Sequence, residues 1–157
     1  MKQIGDITAE KSKVTALVDD EHWEDEAGFP AELQEEVSIK HINGPLFFGS
    51  TNDFQLLAAK IPETTSAVVI RMGRIPYMDQ SGLYALEDVI SDLAQSGKTV
   101  LLVNPSEQPK YMMERIDIIP DLVPKEHVFT DFGRCLSWIK ENVENKYDQS
   151  GQLNKNA

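Results

Sequence analysis

The sequence predicts an α/β fold: a mixed, largely parallel central sheet, opened by a hairpin, with helices packed against it. Three observations carry this. The apolar runs at residues 67–72 and 100–103, with a shorter one at 128–129, have the length of strands and lack polar alternation, as expected of strands covered on both faces. Between and after them, apolar residues recur at helical spacing: Leu83, Leu86, Val89, Ile90 and Leu93, then Phe132, Cys135, Leu136, Ile139 and Val143. Breakers at Ser96-Gly97, Pro120 and Pro124 separate the two kinds of segment. Strands alternating with helices favour a parallel sheet with right-handed crossovers.

Each element follows in order. Residues 1–18 carry a weak helical pattern in Ile7, Val14, Leu17 and Val18, and an acidic run at 19–26 precedes Gly28 and Pro30. Like-charge repulsion and the breakers make 1–36 an expected solvated linker of little weight for stability, with Trp23 as its anchor. Residues 37–42 alternate as a strand, Asn43-Gly44-Pro45 reads as a turn, and Leu46-Phe47-Phe48 reads as the second arm of the hairpin. A helix capped by Ser50 or Thr51 would bury Phe54, Leu57, Ala58 and Ile61 and stop at Pro62. The strand at 67–72 leads to the helix starting near Leu83, and 98–104 is the next strand. A helix over 107–117 would bury Met112, Met113 and Ile116, and the last helix follows the short strand at 128–129. The predicted domain is therefore 37–145, with 146–157 a polar tail.

The charge is −11 over 157 residues, and it is unevenly placed: residues 1–36 hold eleven acids against three lysines. An acidic chain without a basic stripe is a poor match for nucleic acid, whose binding rests on phosphate neutralisation. It is equally ill suited to an anionic membrane surface. One cysteine allows no internal disulfide, which fits a reducing cytosol. No run approaches the roughly 20 apolar residues of a membrane span, and the N-terminus lacks the apolar core of a secretion signal.

The chemically distinctive stretch is the junction between the strand at 67–72 and the helix after it. Met78, Asp79, Gln80, Ser81 and Gly82 place an acid, a hydroxyl and a glycine where a strand gives way to a helix. Asp79 is suited to cap the helix, Ser81 lies beside the unpaired amides of the first turn, and Gly82 permits a close backbone approach. The same residues also serve as plain capping residues elsewhere. In parallel sheets the functional edge lies at the carboxyl ends of the strands, where this loop belongs.

Catalytic chemistry is not evident. His22, His41 and His127 are scattered without metal-site spacing, and Cys135 lies on the apolar face of a helix, where a thiol behaves as a small core residue. Neither a Walker phosphate loop nor a dinucleotide glycine fingerprint occurs. Arg71 and Arg74 near the end of the buried strand are free either to meet an anion or to pair with surface acids. No cofactor and no metal are expected, and the chain reads as a non-enzyme.

The order of elements together with Asp79-Gln80-Ser81-Gly82 resembles the STAS domain (sulfate transporter and anti-sigma factor antagonist). The run Asn43-Gly44-Pro45-Leu46-Phe47-Phe48-Gly49 is most similar to the version attached to SulP-type anion transporters. The family signature is an acid, small or polar residues and then glycine, and Gln80 stands where a small residue is more usual. The resemblance implies a cytosolic regulatory and protein-interaction domain of a SulP-like secondary anion transporter. It implies the membrane part of that transporter as partner, a cytosolic regulatory protein as another, and a homo-oligomeric parent. Residues 1–36 would then be the linker after a membrane region. The alternative it implies is a free-standing anti-sigma factor antagonist, in which Ser81 would be the phosphate acceptor. A nucleotide-binding role is a third implication.

Overall fold

The computed structural model describes residues 18–19, 23–46, 56 and 58–143. A five-stranded sheet runs in the order β1 (Val18–Asp19), β2 (Val37–Asn43), β3 (Ala67–Arg74), β4 (Thr99–Val103), β5 (Val128–Phe129). β1 pairs antiparallel with β2, and every other neighbour pair is parallel. The mixed, largely parallel α/β architecture is therefore as the sequence predicts.

Period-two alternation divides the core. Val68, Ile70 and Met72 of β3 join Val100 and Leu102 of β4 beneath α1 (Gln80–Gln95) and α2 (Glu107–Arg115). Ala67 and Val69 face the other way with Leu101 and Val103, and there they meet Phe132, Cys135 and Ile139 of α3 (Phe132–Asn142). Fully burying one such aliphatic or aromatic side chain contributes about 1.5–3 kcal/mol, so these two layers dominate the stability of the fold. α1 ends at Gln95 with Ser96 as its C-cap, and Gly97 at φ 81° takes the left-handed turn that leads the chain into β4.

Three expectations change. The antiparallel partner of β2 is β1 and not Leu46-Phe47-Phe48: Leu46 instead forms a parallel bridge with Met78, while 47–49 lie outside the described residues. Val18 is extended and not helical, because its backbone pairs with Ile42. Most of the helix expected after Ser50 also lies outside the described residues, although 58–60 are helical and Ala58 and Ile61 pack on the α1 side.

The third change concerns the acidic segment. Residues 23–36 fold into two short turns of 3-10 helix, Glu24–Glu26 and Ala31–Leu33, laid against the α3 side of the sheet. Phe29 and Leu33 are core residues and Glu26 is buried. A solvated linker ending at residue 36 is thus not what these residues form: packing begins at Trp23, because cations inside the domain neutralise the acids that would otherwise repel.

Candidate functional site

The loop leaving β3 is fixed from three directions. The Leu46 amide donates to the Tyr77 carbonyl (3.0 Å), and the Asp79 amide donates back to the Leu46 carbonyl (3.1 Å). The Gln108 side chain from α2 grips the Met78 backbone twice: its Oε1 accepts from the amide (2.9 Å) and its Nε2 donates to the carbonyl (3.0 Å). Asp79 is the N-cap of α1, its Oδ1 accepting from the Gly82 amide at 2.7 Å. Capping by an acid satisfies a first-turn donor and places negative charge at the positive end of the helix dipole.

The five loop residues divide by exposure. Met78 and Gly82 are buried and hold the loop in place, Asp79 and Ser81 are half-buried, and Gln80 is exposed. The backbone at Gly82 lies so close to Leu46 that a Cβ there would meet the Leu46 carbonyl oxygen and come within 2.9 Å of its carbon. Ser81 sits in the first turn of α1, where main-chain amides have no intrahelical partner and an anion is favoured. Tyr77 and Tyr84 are both exposed on either side of the loop, and the Gln80 side chain donates to the Tyr84 hydroxyl at 3.1 Å. Tyr111 is exposed one helical turn beyond Gln108. Sequence reasoning did not single out these tyrosines or Gln108. Tyr84 could have been found from its place on the polar side of the α1 helical wheel.

A second polar centre occupies the carboxyl end of β3 on the α3 side. Arg71 binds Asp25 in a fork, Nη1 to Oδ1 at 2.6 Å and Nη2 to Oδ2 at 2.7 Å, and its Nη1 also donates to Glu26 Oε2 at 2.8 Å. The same Glu26 oxygen lies 2.7 Å from His41 Nε2. The Arg71 guanidinium stacks on the Trp23 ring at 4.5 Å and on Phe132 at 4.7 Å, and Arg74 covers Trp23 at 4.0 Å. Burial alone would lower the pKa of Arg71, but the hydrogen bonds it donates to Asp25 and Glu26 win and raise it. The hydrogen bond to Arg71 holds Asp25 below the usual carboxylate range, against the opposing effect of burial.

The remaining candidates take no part in either centre. His127 packs edge-on against Trp138 and burial lowers its pKa, whereas His22 lies outside the described residues. Burial pushes the Cys135 thiol up to about 12. Among the described residues no group of His, Cys, Asp and Glu is arranged to hold a metal ion. No helix among them is long and apolar enough to cross a membrane.

The STAS domain family profile matches residues 29–134, which is more than half of the chain. The chain belongs to the STAS domain family. It is 22% identical over 135 residues to the bicarbonate transporter BicA of Synechocystis, a match that covers 86% of this chain and 22% of BicA. A sulfate transporter family protein from Wolinella succinogenes superposes with a TM-score of 0.67 at 29% identity, covering 80% of this chain and 99% of that one. The STAS domain of a SulP transporter from Vibrio cholerae shares the fold with a TM-score of 0.63 at 24% identity, covering 87% and 98%. The anti-sigma factor antagonist SpoIIAA has the same fold more distantly, at TM-score 0.50 and 14% identity, covering 68% and 92%. The chain spans about a fifth of the length of the curated transporters it matches. The profile match begins at Phe29, inside the acidic segment, in keeping with the packing of Phe29 and Leu33 in the core.

Proposed function

We propose that this STAS domain is the cytosolic regulatory and interaction domain of a SulP-like anion transporter. It would dock on the transporter's own membrane part, or on a cytosolic regulator, through the loop at 78–82. The observation that carries this reading is the construction of the loop: Leu46, Gln108 and the Asp79 cap hold its backbone rigidly, while Gln80, Ser81, Tyr77 and Tyr84 stay accessible around it. A rigid platform with accessible aromatic and polar side chains loses little entropy on binding. The greater likeness to transporter domains than to SpoIIAA favours the transporter reading over a free-standing antagonist. In this reading the domain is not an enzyme, sits at the cytoplasmic face of the membrane and belongs to an oligomeric parent. The acidic segment joins it to what precedes it.

Ser81→Glu in the full-length transporter tests the docking role. A carboxylate in the first turn of α1 meets the helix dipole favourably, so thermal unfolding should stay close to that of the wild type. The added charge beside Asp79 should repel an acidic or apolar partner surface and change anion uptake. Unfolding of the domain would make Ser81 a structural cap, and unchanged uptake with unchanged stability would remove the loop from function.

A further inference from the structure

Residues 23–36 are held to the domain in an unusual way. Among the described residues, the backbone amides of 23–36 that donate close turns inside the segment: Glu26 to Trp23, Ala27 to Glu24, Phe29 to Glu26, Leu33 to Pro30, Gln34 to Ala31 and Glu36 to Leu33. The segment contributes no rung to the sheet until Glu36, whose carbonyl accepts from Ser66 and Ala67 just before β2 begins. Up to Glu36 its attachment rests on side chains: the apolar pair Phe29 and Leu33, the Trp23 ring against Arg71, Arg74 and His41, and the acids Asp25 and Glu26, which Arg71 clasps while Glu26 also meets His41.

The clasp is strong in geometry and incomplete in satisfaction. A bidentate guanidinium–carboxylate pair is the most directional ion pair a protein makes. Arg71 is nevertheless only 6% exposed, and its Nε has no hydrogen-bond partner among the described residues, a desolvation cost that the clasp must offset. The Asp25 side chain is 53% exposed, so water and salt reach this half of the clasp, while Glu26 is sealed beneath it. A segment whose backbone bonds are local and whose anchors are side chains centred on Arg71 belongs among the units that open before the core does. Phe29 lies against Phe132 with ring centroids 6.3 Å apart and beside Val37 and Ile39 of β2, so opening uncovers Phe132 and the α3-side apolar residues of β2.

We propose that residues 23–36 form a releasable strap, latched by Asp25 and Glu26 onto Arg71, whose opening exposes the α3-side apolar face while the sheet stays folded. The strap lies between β1, which pairs with β2, and β2 itself, so it opens as a loop tethered to the sheet on both sides. This proposal goes beyond the docking loop, which lies on the opposite, α1 side, and stands or falls independently of it.

Amide hydrogen exchange on the full chain, wild type against Arg71→Gln, tests the latch. Protection at Phe29, Gln34 and Glu36 should fall by at least about 100-fold, the lower end of the scale expected when one partner of a buried ion pair is removed. Amides of Val69, Leu101 and Leu86 should exchange as in the wild type. Unchanged protection in the strap would show that the clasp does not hold it, and a parallel loss in strap and sheet would show one cooperative unit with no strap. Should Arg71→Gln fail to fold, Asp25→Asn makes the same test, because it removes the exposed half of the fork and leaves Glu26 on Arg71. A loss of about tenfold confined to the strap is then expected, and either a uniform loss or none overturns the proposal.

Discussion

Gly82→Ala probes the contact on which the loop is built. The added methyl would overlap the Leu46 carbonyl oxygen and lie 2.9 Å from the carbonyl carbon and 3.0 Å from Leu46 Cγ. Leu46 cannot easily give way, since its amide is bonded to Tyr77, its carbonyl accepts from Asp79 and its side chain is fully buried. Overpacking of this kind costs up to roughly 3 kcal/mol. Replacing glycine by alanine in a helix returns at most about 1 kcal/mol through backbone entropy and propensity. The net loss is about 2 kcal/mol, which for a chain of this size lowers Tm by roughly 4–8 °C. Gly133→Ala in the first turn of α3 is the control, for its Cβ would meet only the Asp131 carboxylate oxygen, at 3.3 Å. Thermal and urea unfolding followed by circular dichroism read both variants. If Gly82→Ala melts at or above the wild-type temperature, Leu46 does not close on the helix start and the rigid platform is lost as an argument.

Two further outcomes follow from titratable groups, Cys135 buried and His127 half-buried. Cys135 is fully buried with its thiol pushed up to about 12, so a thiol reagent at neutral pH should label the chain only as fast as it opens, and rapid stoichiometric labelling would contradict that burial. His127 has its pKa lowered by burial from an ordinary 6.5, so the folded state resists its protonation. Stability should be greatest above pH 6.5 and fall as the pH drops through that value towards the lower folded pKa, where the unfolded chain binds the proton first. His127→Gln should flatten this part of the pH profile of urea unfolding, and an unchanged slope would show that another group causes it.

Much of this was legible because period carries fold. The apolar run of β3 and the helical stripes of α1 and α3 depend on which face each side chain takes, and that is written locally. Pairing is not local. Asn43-Gly44-Pro45 does turn the chain, with Gly44 at φ 79°, but it delivers Leu46 to Met78 and not back to β2, a choice set by the loop after β3. β1 has two residues, too few to show a period, and lay hidden in a helical pattern.

The acidic segment was misread for a related reason. Repulsion among Glu24, Asp25 and Glu26 is visible in sequence, while the cation that cancels it is 45 residues from Glu26. A signal existed all the same: Arg71 interrupts an apolar strand, and a charge placed there requires a partner. Of the loop, the Asp79 cap and the tight approach at Gly82 could be read from residue type, whereas the double hydrogen bond on the Met78 backbone comes from Gln108, brought in by α2.

The docking claim is met most directly by site-specific photo-crosslinking in the membrane-bound parent protein that the proposed function implies. A photoreactive amino acid is placed at Gln80, exposed at the loop, or at Gln95, exposed at the far end of the same helix. The account predicts a defined adduct with the membrane part or with one cytosolic protein from position 80 and none from position 95. Equal adducts from both positions, or none from position 80, would contradict it.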